Sequence, residues 1–272
     1  MKALIQSPIC PLKSRPHDQS ELADEALLGM TVEVLEESGT GWYRIRTPYR
    51  YEGWAPVEGL LFGEGQVKWW ESLPKQVVLR GVCDVLSAPS VQGWCVETVT
   101  RGDLLAPIGK PDENGWQRVA LPDGREGYTK TGFLGTWHTA PSSEDEAAFR
   151  AAVAETAKTY LGAHYRWGGN TPLGIDCSGL VSMAYLLNGV TIYRDAHIRE
   201  DFPVHEIPRS AIKTGDLLFF PGHVALYLGD GRYIHSTAKN GSDGVVINSL
   251  DPAHPDYRED LDKGMTAAGS IF

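Results

Sequence analysis

Two segments of the chain repeat each other at a fixed distance. GWYRIRTPYRYEGWAPVEGLL begins at Gly41 and GWQRVALPDGREGYTKTGFL begins at Gly115, 74 positions later. The pairs Trp42/Trp116, Arg44/Arg118, Ile45/Val119, Glu52/Glu126, Gly53/Gly127 and Trp54/Tyr128 all keep that offset. A period of this size is one supersecondary unit used twice. Within each copy apolar and polar residues alternate between Gly, Pro and Asp, the pattern of short strands. The segments LLGMTVEVLEE and VTRGDLLAPIGK ahead of them add an apolar strand with a glycine. The reading is two small all-β barrels, residues 1–67 and 75–138, with KWWESLPKQ (68–76) as connector.

From Ser142 the texture changes. SSEDEAAFRAAVAETAKTYLG opens with capping residues and acids, continues with Ala, Phe, Val and Leu at helical spacing, and stops at Gly162. LVSMAYLLNG predicts a second apolar helix, ending at Gly189. Four β-like runs follow at 216–220, 223–229, 232–238 and 244–250. Helices followed by an antiparallel meander make an α+β domain over residues 143–272.

Composition narrows the partners. A net charge of −10 argues against nucleic acid and against an anionic membrane surface. No run of about 18 apolar residues is present, so no transmembrane helix is expected. The apolar stretch after Met1 is too short for a signal-peptide core, which points to the cytoplasm unless a leader has been removed. Cysteines 10, 83, 95 and 177 show neither CxxC nor Cys/His zinc spacing. No metal or organic cofactor is expected, and Cys83 and Cys95 are read as free thiols in strands rather than a bridge.

Cys177, in GIDCSGLV, stands just before the second helix. Backbone N–H groups and the helix dipole at such a terminus stabilise a thiolate and can receive an oxyanion; the bland alternative is a buried structural cysteine. The histidines shift the balance. HVALYLGDGRYIHSTA reads as a hairpin closed by the three residues Gly229, Asp230 and Gly231. Position 228 then faces 232 and 223 faces 237. His223 and His235 thus share one face as diagonal neighbours, and a one-residue slip would part them. A thiol, a base and an orienting imidazole are the parts of a nucleophilic catalyst. No G-x-S-x-G offers a competing serine. Histidines 138, 164, 197, 205 and 254 lack such a pattern and read as surface residues.

At this point YRWGGNTPLGIDCSGLV, GDLLFFPGHVALYLG and YIHSTA together resemble the three signatures of the NlpC/p60 cysteine peptidases, papain-like enzymes that cut peptidoglycan peptides. The likeness covers about residues 145–272, and the barrels ahead of it are similar to bacterial SH3-like domains. It implies Cys177 as nucleophile, His223 as base and His235 as the orienting third residue. Two SH3-like domains before the peptidase resemble the recycling branch, which releases L-Ala-γ-D-Glu from free murein tripeptides or tetrapeptides by cutting before diaminopimelate or lysine. That resemblance implies substrate contacts at Tyr165, Asp176, Ser178, Arg194 and Asp195, with the carboxylates of Asp176 and Asp195 facing a free ammonium. For Asp176 a helix cap is an equal alternative. Tyr49 and Tyr51, which align with Asp123 and Arg125 of the second repeat, are the candidates from the first barrel; a solvated strand edge is their alternative. Glu21, Asp24 and Glu25 are further acids in that barrel. Only Pro221 and Gly222 separate LLFF from His223, where many members have a longer loop. Two other functions stay open here: a secreted endopeptidase acting on intact peptidoglycan, and a non-catalytic wall-binding module.

Overall fold

The computed structural model describes all 272 residues, in two compact units, Met1–Trp137 and His138–Phe272. In the first unit β1 (Lys2–Ile5), β2 (Ile9–Lys13), β3 (Leu22–Leu27), β4 (Thr31–Glu37), β5 (Trp42–Arg46), β6 (Glu52–Pro56) and β7 (Leu60–Leu61) form one antiparallel sheet. Its order is β3-β2-β6-β5-β4-β1-β7. After helix α1 (Glu64–Ser72) come β8 (Gln76–Val78), β9 (Val82–Leu86), β10 (Cys95–Thr100), β11 (Leu104–Ile108), β12 (Trp116–Ala120), β13 (Glu126–Lys130) and β14 (Leu134–Thr136). Their order, β10-β9-β13-β12-β11-β8-β14, traces the same path a second time. The repeat in the sequence is therefore a repeat of topology.

The shared residues have identifiable jobs. Trp42 and Trp116 open the paired strands β5 and β12 and are both buried. The shared glycines let a neighbouring strand close in. A Cβ on Gly53 would stand 2.8 Å from the Leu12 Cβ, and one on Gly127 would stand 2.6 Å from Val85 Cγ1.

Helix α1 runs into the connector, and its Val67 and Trp70 are buried at i, i+3 spacing. Trp70 Nε1 donates to the Gly29 carbonyl at 2.8 Å, pinning the helix to the first barrel. Lys75 Nζ folds back to donate to the carbonyl of Leu73 at 2.7 Å and closes the helix end. All four cysteines are free thiols.

The second unit begins with α2 (Glu146–Lys158), whose N-cap Asp145 accepts from the Ala148 N–H at 2.7 Å. Then follow β15 (Asn170–Thr171), β16 (Gly174–Ile175), α3 (Cys177–Leu186), β17 (His205–Ile207), β18 (Leu217–Phe220), β19 (His223–Gly229), β20 (Arg232–Thr237), β21 (Gly244–Ser249), α4 (Glu259–Gly264) and β22 (Ala267–Ser270). The main sheet runs β17-β22-β18-β19-β20-β21, all antiparallel. Helix α3 packs against α2 and lies on β19 and β20. Leu218, Phe220, Ala225 and Tyr233 form a cluster on the sheet, covered by Leu261 and Met265. Arg150 of α2 is buried against Asp216 at 2.6 Å and donates to Ser270 Oγ at 3.1 Å, so one guanidinium ties α2 to the residue just ahead of β18 and to the last strand.

The four expected runs are β18 to β21. Strands β17 and β22 and helix α4 were not legible. AAGS carries almost no strand propensity, and β22 forms because Gly269 fits where any Cβ would stand 2.7 Å from Val204 Cγ1.

Candidate active site

Cys177 is the first residue of α3, and Asp176 is the cap that starts the helix there. Asp176 Oδ1 accepts from the Gly179 N–H at 2.6 Å, from Ser178 Oγ at 3.2 Å and from the Arg194 guanidinium at 3.0 Å. Its Oδ2 accepts from the Gly168 N–H at 2.8 Å and again from Arg194 at 3.2 Å. Arg194 also donates to Ser178 Oγ at 2.8 Å and to the Gly169 carbonyl at 3.3 Å, and is almost wholly buried. Gly179 is required where it stands. A side chain there would bring a Cβ within 2.2 Å of the Gly169 carbonyl, the loop that Asp176 holds.

Both oxygens of Asp176 have partners and its charge is met by Arg194, so the carboxylate is a helix cap and a member of a buried ion pair. Ser178 and Arg194 belong to the same buried cluster. Asp195, next in the chain, is half-buried and accepts from the Tyr193 hydroxyl at 3.0 Å.

Helix α3 packs against β19, the strand that His223 opens, and the Asp176 charge acts on both Cys177 and His223. That histidine follows the tight Pro221–Gly222 turn directly: Phe220 pairs with His223, and Gly222 takes φ +65°, which the turn needs. The short link is thus a hairpin turn.

The two histidines meet. His223 Nε2 lies 2.8 Å from His235 Nδ1. Strands β19 and β20 pair Leu226 with Ile234 and Tyr227 with Tyr233, the register expected from sequence. The loop reaches it differently: Asp230 and Gly231, at φ +51° and +73°, make a two-residue turn, and a bulge between Tyr227 and Gly229 absorbs the extra residue.

Asn248, on β21, was not singled out from sequence. His235 Nε2 lies 2.9 Å from its Oδ1, and its Nδ2 donates to the Asp256 carbonyl at 3.1 Å. Its signal was a lone amide in the run GVVINSL, on the face of β21 that presents Val246 opposite His235.

Burial governs the titration of this group. It pushes the Cys177 thiol up to about 11, with the Asp176 charge adding to it. It pushes His223 down to about 4, assisted by the positive charge of Arg258 and opposed by Asp176. His235 is driven to about 3 by burial, partly offset by its bond to Asn248. Both imidazoles are therefore neutral at physiological pH. A base with a lowered pKa stays competent to lower pH. The acid limb of kcat/KM is expected near pH 4, not near the ordinary 6.5. Between those values the unfolded chain binds more protons than the fold, so stability is complete above 6.5 and falls as pH drops towards 4. Initial rates and urea midpoints across pH 3.5–7.5 read the two effects separately; an acid limb at 6.5 contradicts the burial argument.

Tyr165 lies close enough that the charges of Cys177 and Asp176 reinforce the upward push of burial on its phenol. Tyr49 and Tyr51 belong to the first barrel. Tyr49 is not a solvated edge residue: its ring is buried and its hydroxyl bonds Asp24 Oδ2 at 2.6 Å and the Glu25 carbonyl at 3.2 Å. Tyr51 is half-buried, and its N–H donates to Thr47 Oγ1 at 3.0 Å.

Residues 12–60 match the profile of the bacterial dipeptidyl-peptidase SH3 domain, and residues 162–259 match the NlpC/P60 family. The chain is 43% identical over 274 residues, covering 100% of both sequences, to a protein named dipeptidyl-peptidase 6 from Lysinibacillus sphaericus. The chain belongs to the NlpC/P60 family. As an NlpC/P60 protein it is a cysteine peptidase of the peptidoglycan-hydrolysing kind. It is also 28% identical, across 84% of its length and 71% of the relative's, to a γ-D-glutamyl-L-lysine dipeptidyl-peptidase from Bacillus cereus. The crystal structure of another NlpC/P60 protein from Bacillus cereus superposes with a TM-score of 0.80 over 98% of each chain at 22% identity, which shows a shared fold.

Proposed function

We propose that this NlpC/P60 protein hydrolyses the γ-D-glutamyl–diamino acid bond of free murein peptides, releasing L-Ala-γ-D-Glu from the unblocked N-terminus. The observation that carries this reading is the end-to-end likeness to a dipeptidyl-peptidase, barrels included, combined with a thiol at the mouth of a helix that packs on the strands bearing two hydrogen-bonded imidazoles. The sulfur of Cys177 gives its proton to His223 and attacks the γ-carbonyl carbon. The N–H groups at the start of α3 receive the developing oxyanion. Collapse breaks the C–N bond as His223 returns the proton to the leaving amine, and a thioester to Cys177 remains. Water, deprotonated by the same imidazole, cleaves the thioester and restores the thiol. His223 uses Nδ1 for these transfers, since its Nε2 is bonded to His235.

On this reading Tyr165 and Asp195 serve the substrate's N-terminal end, and the reaction belongs to cytoplasmic recycling of wall peptides. The test compares L-Ala-γ-D-Glu-diaminopimelate with its N-acetylated form, products being identified by mass spectrometry. The free peptide is expected to be cut at least about 100-fold faster, the cost of burying a partner group left unpaired. Equal rates on both, or on intact sacculi, would instead mark a wall-trimming endopeptidase. Tripeptides ending in diaminopimelate and in lysine, run side by side, read the diamino acid preference.

A further inference from the structure

The chain of contacts behind His223 ends on a group whose hydrogen-bonding role is not negotiable. The Asp256 backbone carbonyl only accepts, and it accepts from Asn248 Nδ2 at 3.1 Å and from the Ser249 N–H at 3.0 Å. The nitrogen end of the Asn248 amide must therefore face Asp256, and its oxygen end must face His235. An amide oxygen only accepts, so His235 Nε2 carries a hydrogen at the 2.9 Å contact. A neutral imidazole has one N–H, which leaves His235 Nδ1 as a bare acceptor. The 2.8 Å contact then requires His223 Nε2 to be the donor, and His223 Nδ1 is left with its lone pair. Each step follows from the one before it. Turned the other way, the amide would reverse the series and present a hydrogen on His223 Nδ1, where a base needs a lone pair.

The turn that supplies Asp256 is itself fastened to β21. The Arg258 N–H donates to the Ser249 carbonyl at 3.1 Å, and Tyr257 forms a β-bridge with Ser249. Thus the orientation of the amide is set by backbone.

We propose that Asn248 is a positioning residue that fixes the tautomers of both histidines, so that His223 presents Nδ1 as the base. The proposal rests on the reading of Cys177 and His223 given above, and it adds a residue outside the cysteine–histidine–histidine set. The charged groups around the pair are Asp176 and Arg258 for His223, and Arg258 and Asp260 for His235.

Three measurements test it. Nitrogen-15 NMR of the histidine rings in the resting wild-type protein should show both His223 and His235 in the Nε2–H form; an Nδ1–H form at His223 overturns the proposal. Asn248→Leu, which neither accepts nor donates, should lower kcat by about 10- to 100-fold with KM little changed, the usual effect of removing an orienting partner. Asn248→Asp, which still accepts, should keep kcat within about threefold. It should also raise the acid limb of the pH profile by about one unit, because a carboxylate favours the imidazolium. Equal loss in both variants with the fold intact, or full activity in the Leu variant, overturns it. The ring spectra need no turnover and no variant, so they decide even where Asn248→Leu fails to fold. Cys177→Ala separately decides the underlying reading: turnover there within about 100-fold of wild type removes the nucleophile assignment, whatever the ring spectra show.

Discussion

Cys177→Ala is expected to leave a folded protein whose turnover of L-Ala-γ-D-Glu-diaminopimelate falls by about 10⁵- to 10⁶-fold, the scale seen when a nucleophile is removed from a preassembled site. The sulfur is the one group at the mouth of α3 with a lone pair to form the thioester, and alanine leaves nothing in its place. Stability should barely move. The side chain is small and 6% exposed, so its loss removes one buried sulfur, at a cost of about 1 kcal/mol. Far-UV circular dichroism and the urea midpoint check the fold, and product formation at high enzyme concentration checks the rate. Turnover within about 100-fold of wild type would place the nucleophile elsewhere.

The largest effect on stability is expected from Arg194→Ala. Arg194 is 2% exposed and makes four contacts with Asp176, Ser178 and the Gly169 carbonyl. Its removal leaves Asp176 buried with two backbone N–H donors and a hydroxyl but no cation. Breaking a buried pair from one side costs about 3–5 kcal/mol, enough to lower Tm by about 10 °C in a unit of this size. The damage reaches chemistry, because Asp176 caps the helix on which Cys177 is the first residue. Adding Asp176→Asn to the Arg194→Ala background should restore part of the loss by removing the stranded charge. A single variant as stable as wild type would mean that the pair contributes nothing net.

The parts of this molecule that sequence made legible are those whose meaning lies in a period. The 74-residue repeat exposes both barrels, and the alternation through β19 and β20 places His223 and His235 on one face. What stayed hidden depends on contacts between distant residues. Residues 64–72 are polar over much of their length and become a helix because Trp70 finds the Gly29 carbonyl. The ion pair of Asp176 with Arg194, eighteen positions away, engages both carboxylate oxygens and carries no local sequence signal. Asn248 is one amide among apolar neighbours, and its meaning appears only once a carbonyl from a later turn orients it. Tyr49 likewise reveals its buried bond to Asp24 only in three dimensions.

The bulge beside the Asp230–Gly231 turn has an evolutionary consequence. Exposed hairpin ends ordinarily accept added or deleted residues freely, since nothing packs on them. Here one uncompensated residue would turn one imidazole to the opposite side of the sheet from the other. Length variation among kindred chains should therefore gather in other loops, and where it does touch this tip it should come as matched pairs of changes that conserve strand phase.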